Sequence, residues 1–281
     1  MQRHIYETHM HTPLCKHAEG EPEDYAQVAW DRGLKGIIVT CHCPLPDGLS
    51  ASVRMSENQF PDYVEYIQRA KELWSGRVDV RMGLESDYFA GTEKYIEKLH
   101  NRAEFHYILG SVHPHIKDYQ HINHRGSWAE FHQAYFKSLG DAAETGLFDT
   151  LAHPDIVKNM GSDEWDLKEL WSFILKALDR IANTGMAMEL NTSGLNKVVS
   201  EMNPGREILS AMFERGIPVV VGADAHSPHR VGDHFVLAYE ILEEIGYTEL
   251  SYFLNRKRAT IPIVLAKQSL NQGQALAVLS C

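Results

Sequence analysis

Cysteine is scarce in this chain: there are four in 281 residues, at Cys15, Cys41, Cys43 and Cys281. So few thiols over such a length do not form the disulfide framework of a small secreted domain, and a reducing, cytoplasmic setting is the expectation. Long hydrophobic runs are missing too. No apolar stretch approaches the ~20 residues of a membrane span, and the opening MQRHIYETHMH lacks the apolar region of a signal peptide. Positive charge is in deficit, with 27 Lys and Arg against 38 Asp and Glu, a net −11. A large nucleic-acid surface needs a basic face, so a nucleic-acid partner is not favoured. A phosphorylated small molecule stays open, because bound cations supply local positive charge. Internal repeats, linkers and low-complexity segments are absent.

Histidine is what the chain has in excess, at sixteen. Three fall within nine residues, in ETHMHTPLCKH: His9, His11 and His17. Chance placement in a His-rich chain and a metal site both account for that cluster, and the rest of the sequence has to separate them. His121, His124 and His132 read as surface residues, and His4, His100, His106 and His234 as structural or solvated.

The chain alternates short apolar runs with stretches of helical spacing. The runs fall at 3–7, 35–40, 78–85, 106–112, 148–152, 186–191 and 217–222. The helical stretches fall at 22–32, 56–74, 92–99, 127–145, 166–184, 204–215 and 231–245. Ser56 and Gln59 form a capping-box signal, and the acidic run from Glu19 to Asp24 reads as a helix start. Gly33, Gly146, Gly185 and Gly216 stand where a helix wants a left-handed C-terminal residue. The tryptophans sit in or beside helical stretches and read as core. Seven strand–helix units with short connections predict a parallel α/β barrel. Residues 1–281 read as a single domain, with an insertion near 114–126 and a C-terminal extension after about 246.

Each strand leads into a polar, ligand-capable residue: HMH, TCHCP, ESDYF, GSVHPH, AHPD, NTSG and GADAH. In parallel barrels the active site is built at the C-terminal ends of the strands, where distant residues converge. His9 and His11 alternate as on a strand and project to one side. Glu85 closes an apolar strand, where an unpaired carboxylate would be costly. His113, His153, Asp224 and His226 each stand just past a strand. Imidazoles with carboxylates suit zinc, iron or manganese, and paired cations suit in-line attack on phosphorus.

The combination of H-x-H, a histidine six residues on, T-x-H-x-P, G-L-E, G-S-V-H, A-H-P and D-A-H resembles the PHP (polymerase and histidinol phosphatase) family from about residue 6 to about 235. The segments NTSGLNK, GADAHSPHRVGDHF and GSVHPH are most similar to its histidinol-phosphate phosphatase branch. The resemblance implies a distorted seven-stranded (β/α)7 barrel with its active site at the C-terminal strand ends and two or three divalent metal ions, Zn, Fe or Mn. Carried over by position, it implies one metal on His9, His11, Glu85 and Asp224. A second lies on Glu85, His113 and His153, with Glu85 bridging, and a third on His17, His42 and His226. Two positions depart from the family pattern, which often has aspartate where Cys41 and Glu7 stand, and both bear on support of the ligands. Cys15, Cys41 and Cys43 read as packed or supporting thiols.

The implied activity is a metal-dependent phosphomonoesterase. A water shared by two cations loses a proton and attacks phosphorus. Glu85, Asp224 and His226 are the catalytic candidates, with Asp224 or His226 assisting the leaving alkoxide. Lys158, Lys197 and Arg230 are candidate phosphate contacts, each equally readable as a surface charge, and His42 and Asn191 candidate substrate contacts. The resembling phosphatases often carry arginine in these loops, and lysine lacks its fork. L-Histidinol phosphate, and with it histidine biosynthesis, rests on the resemblance alone. Acidic residues in loops 43–60 and 86–93 are expected to meet its amino and imidazole groups. The rivals are a nuclease or nucleotide phosphoesterase on the same fold, a non-catalytic metal-binding module, and an amidohydrolase acting on a C–N bond. Loss of ligands would mark the module, and none is lost. The oligomeric state stays open.

Overall fold

The computed structural model describes residues 3–270 except Arg125; the ends of the predicted domain and Cys281 lie outside the described residues. Each of the seven apolar runs forms a strand: β1 (Tyr6–Glu7), β2 (Gly36–Val39), β3 (Asp79–Asp87), β4 (Tyr107–Ser111), β5 (Thr150–Leu151), β6 (Ala187–Asn191) and β7 (Val219–Gly222). They pair in parallel in sequence order, with every neighbour adjacent in the chain. Helices α1 (Pro22–Asp31), α2 (Phe60–Leu73), α3 (Glu93–His100), α4 (Lys117–Asn123), α5 (Trp128–Glu144), α6 (Leu167–Thr184), α7 (Arg206–Glu214) and α8 (Phe235–Ile245) follow the strands. The result is a distorted (β/α)7 barrel.

The helix starts are written locally. Ser56 and Gln59 close a reciprocal capping box, as do Glu21 with Asp24 and Ser127 with Glu130. Asp166 accepts from the N–H groups of Lys168 and Glu169 at 2.8 and 3.3 Å. Such a cap contributes about 1 kcal/mol. At the other end of α6, Gly185 takes φ of 71°, which spares the chain the cost of a Cβ there.

The barrel closes without a ladder between β1 and β7. Instead, the backbone beyond the two strands pairs: His11 N–H donates to Ala225 C=O at 2.9 Å, and Ala225 N–H to His9 C=O at 3.0 Å. This seam carries H-x-H and D-A-H side by side. Below it the unpaired N–H groups meet the carboxylate of Glu7. Its Oε1 accepts from Thr8, His9 and Ala223 at 3.0–3.1 Å, and its Oε2 from Gly232 at 2.7 Å. Burial pushes this carboxyl up to about 7 against the donors at Ala223, Gly232 and His9. Glutamate at this departure from the family pattern is therefore a seam-filling acceptor.

Two segments read as additions have structure of their own. The stretch 114–126 contains α4. After α8 the chain forms an antiparallel hairpin, β8 (Glu249–Leu254) and β9 (Lys257–Pro262). Its residues close the N-terminal end of the barrel. Phe253 stacks on Tyr107 and Tyr252 on Tyr6, both at 5.4 Å, and Phe253 joins Tyr6, Ile38, Leu109, Ala152, Ala187 and Val220 in the buried barrel interior. Arg256 anchors the turn on Asp149 at 2.6 Å. The larger core lies between the strands and the helices. Trp74 is buried there, and Trp30, Trp128, Trp165 and Trp171 pack partly buried against it. His132 corrects a sequence expectation. It is buried on the inner face of α5, with Nε2 2.7 Å from Met160 C=O and its ring edge-on to Trp165.

Candidate metal centre

The C-terminal strand ends bring eight side chains together around one carboxylate, that of Glu85. Glu85 Oε1 lies 3.2 Å from His153 Nε2, 3.3 Å from His113 Nε2 and 3.6 Å from His9 Nε2. Its Oε2 lies 2.6 Å from His42 Nδ1 and 3.8 Å from His11 Nε2. Asp224 Oδ1 faces His11 Nε2 at 3.1 Å, His226 Nδ1 at 3.4 Å and His9 Nε2 at 3.6 Å. At the rim, His17 Nε2 and His226 Nε2 are 2.9 Å apart. The triads His9–His11–Asp224, His11–His42–Glu85 and His17–His42–His226 each gather one donor atom per residue within 4.8 Å.

Four of the imidazoles are held in one orientation by their outer nitrogens. Nδ1 of His9 donates to Glu189 Oε1 at 2.7 Å, that of His17 to Cys15 C=O at 2.8 Å, and that of His226 to Asp224 C=O at 3.1 Å. Nδ1 of His113 donates to Asp87. With the proton on Nδ1, the Nε2 lone pair points inward, which is the tautomer a metal needs. His9 Nε2 is buried without a hydrogen-bond partner. Leaving such a group unsatisfied costs about 1–3 kcal/mol. Converging lone pairs on histidine and carboxylate fit divalent cations.

Charge at the centre is balanced on a small scale. Burial works against a proton on His9, His11, His17, His42, His113 and His226. At His113 it is outweighed by Asp87 and Glu85, which lift the group to about 10, and at His11 chiefly by Asp224, which lifts it to about 9. At His42 and His226 burial wins and lowers them to about 4 and about 3.

The backbone that carries the candidate ligands is strained at two points. His153 has φ of 28° and Asp224 of 48°, in the left-handed region that costs non-glycine residues about 1–3 kcal/mol. Both are braced. His153 N–H donates to Glu189 Oε2 at 2.9 Å, and its C=O accepts from Tyr135 Oη at 3.3 Å. Asp224 stands between the seam contacts of Ala223 and Ala225.

Beside the centre is a cavity of about 400 Å³ lined by His17, Glu19, Ser193, Lys197, Asp224, His226 and Arg230 among others. It thus joins candidate ligands to two cationic side chains. A larger groove, about 560 Å³, runs between α5 and α6 on the outer face and is lined by none of the nine.

Two sequence expectations fail against these positions. Lys158 is fully buried, and its ammonium is spent on Asp155 Oδ2 at 3.0 Å, Glu201 Oε2 at 3.0 Å and Met202 C=O at 2.9 Å. With its three donors occupied it has none left for phosphate. Asn191 is also fully buried: its amide donates to Glu189 Oε2 at 3.0 Å and its carbonyl accepts from Ser193 N–H at 3.0 Å. It braces the loop rather than facing a substrate. Of the acidic residues in loops 43–60 and 86–93, Asp87 is taken by Arg54 and His113, and Glu57 by Tyr95 and Arg102. Lys197 and Arg230 do line the cavity.

Sequence reasoning missed Glu189, Arg54 and Glu19 as parts of the site, and took Asp87 only among the acidic residues meant for the substrate's amino and imidazole groups. Glu189 lies on β6 two residues before NTSG, where a carboxylate between apolar neighbours is the available signal. Glu19 carried none beyond the helix start. Cys41 accepts from Thr12 N–H and Oγ at 3.4 and 3.2 Å, as a packed thiol. Cys15 lies closer in, with Sγ within 4.8 Å of donor atoms of His11 and His226.

Known proteins share this arrangement of strands. A histidinol phosphate phosphatase from Lactococcus lactis, solved with zinc, L-histidinol and phosphate, superposes with a TM-score of 0.77 at 19% identity, over 91% of this chain and 98% of that one. A probable histidinol-phosphatase from Deinococcus radiodurans is 38% identical over 252 residues, covering 86% of this chain and 94% of that protein. A histidinol-phosphatase from Bacillus subtilis is 26% identical, covering 84% and 97%. The PHP domain matches residues 7–193, the span that carries H-x-H, Glu85, His113 and His153. The domain match and the 38% identical relative agree with the barrel and its strand-end candidate ligands, and the chain belongs to the PHP family.

Proposed function

We propose that this protein is a metal-dependent phosphomonoesterase that hydrolyses L-histidinol phosphate to L-histidinol and phosphate. The observation that carries the reading is Glu85, a buried carboxylate with both oxygens turned to five imidazoles, beside a cavity with two cations. Relatives of near-complete length named for this activity support the substrate.

His9, His11, Glu85 and Asp224 hold one cation, Glu85, His113 and His153 the second, and His17, His42 and His226 the third. Zinc, iron and manganese all suit this donor set. When bound, they supply positive charge for the phosphoryl oxygens and acidify a water. The rest falls to the chain. Lys197 and Arg230 meet the phosphate from the cavity side. Arg230 is held by Asp233 at 2.8 Å, which fixes the guanidinium at the rim. Asp224 and His226 line both the centre and the cavity, beside the path of the leaving oxygen. Glu19, a carboxylate in an otherwise anion-binding cavity, receives the ammonium of the amino alcohol. The setting is cytoplasmic, as suits buried free thiols at Cys15, Cys41 and Cys43.

The test is phosphate release from histidinol phosphate and from a panel of phosphomonoesters and nucleotides, with metal content measured on the same sample. Turnover of histidinol phosphate above the panel, lost with metal removal and lowered by orders of magnitude in His113→Ala, is expected. Faster turnover of another ester overturns the substrate, and fewer than two metals per loaded chain overturns the mechanism.

A further inference from the structure

Glu189 belongs to no motif and ligates nothing, yet it is fully buried between two of the ligand-bearing strands. Its two oxygens are divided. Oε1 takes the Nδ1 proton of His9 at 2.7 Å. Oε2 takes the backbone N–H of His153 at 2.9 Å and the side-chain amide of Asn191 at 3.0 Å. His9 belongs to the first proposed metal site and His153 to the second.

We propose that Glu189 is a positioning residue that couples the first two metal sites through one carboxylate. It sets the tautomer of a ligand in one site and pins the left-handed backbone of a ligand in the other. The inference rests on the ligand assignment proposed above. The same carboxylate reaches Asp224 as well: Asn191 Oδ1 lies 2.7 Å from Ser193 Oγ, which lies 3.1 Å from Asp224 Oδ2. Space for this arrangement is reserved. A Cβ at Gly222 would run into Glu189 Oε1 and come within 2.8 Å of His9 Cβ.

A carboxylate is needed because all three partners donate. An amide of the same shape fails in either orientation. With its oxygen towards His9, its NH2 opposes the donors of His153 and Asn191. With its NH2 towards His9, the ring must accept at Nδ1 and carry its proton on Nε2, the nitrogen that faces the metal.

The test compares full-length wild-type protein with Glu189→Gln. Both are loaded with zinc and dialysed at a series of fixed free zinc concentrations, and zinc per chain is counted at each. The expected result is that two zinc ions are lost together, with an affinity weaker by about 10–100-fold, while near-UV circular dichroism stays native. Loss of a single ion, or wild-type retention of all, overturns the coupling. Should the variant fail to fold, nitrogen NMR of the zinc-loaded wild type decides. A protonated Nδ1 on His9, hydrogen-bonded to a carboxylate, supports the role, and a protonated Nε2 overturns it. These readouts count metal and protons, so failure of histidinol phosphate as the substrate leaves them standing. A wild type that loads no zinc overturns both readings.

Discussion

Replacing Lys158 by methionine separates two accounts of this residue. If Lys158 met the substrate's phosphate, Lys158→Met would raise KM and leave stability nearly unchanged. The geometry says the reverse. The ammonium is fully buried, with Asp155 on one side and Glu201 on the other, 3.0 Å from each. The two arms are not equal. Glu201 is 44% exposed, and an exposed pair contributes about 0–1 kcal/mol. Asp155 is 1% exposed, and its other oxygen has no hydrogen-bond partner. Methionine fills the volume but leaves that carboxylate buried without a counter-charge, held only by the Gly205 N–H at 2.8 Å, which costs about 3–5 kcal/mol. At a urea dependence of about 3 kcal/mol per molar, the midpoint falls by about 1–1.7 M. Urea unfolding followed by circular dichroism measures this. Removing the stranded charge as well, in Lys158→Met with Asp155→Leu, should restore most of the loss. KM and inhibition by inorganic phosphate, measured at a temperature where the variant stays folded, should hold near wild-type values. A large rise in KM with an unchanged urea midpoint would refute the structural role and return Lys158 to the phosphate.

Most of the barrel was readable because each element is specified by short-range chemistry. Apolar runs bounded by glycine and polar residues gave the seven strands, and capping pairs such as Ser56 with Gln59 gave the helix starts. The nine candidate ligands were readable because all but His17 stand at or just past a strand end, so topology carries them to one place. The failures share a different cause. Lys158 and Asn191 also follow strands, but what decides a polar side chain's role is whether a partner from another segment reaches it first. Glu201 and Met202 lie more than forty residues from Lys158, and Glu189 reaches His9 across 180. The hairpin plug was missed for the same reason. Tyr252 and Phe253 look like any apolar pair until Tyr6 and Tyr107 are seen to need a floor.

Two further outcomes follow from side chains outside the ligand set. Glu19→Gln should lower kcat/KM for histidinol phosphate about five-fold, the worth of ~1 kcal/mol from a partly solvated ion pair, and leave p-nitrophenyl phosphate unaffected. An equal fall for both esters, or none, removes Glu19 from the ammonium site. His100 governs a pH effect on stability. Its Nε2 meets Ser86 Oγ at 3.0 Å, and burial, with Arg256 adding repulsion, lowers the group from 6.5 to about 3. Below pH 6.5 the unfolded chain takes up a proton that the folded one refuses. This contribution is therefore fully present above that pH and is lost as pH falls towards 3, at up to about 1.4 kcal/mol per unit. His100→Gln removes the proton acceptor. Its urea midpoint should drop less between pH 7 and pH 5 than that of the wild type, and parallel drops in the two proteins would show that His100 titrates alike folded and unfolded.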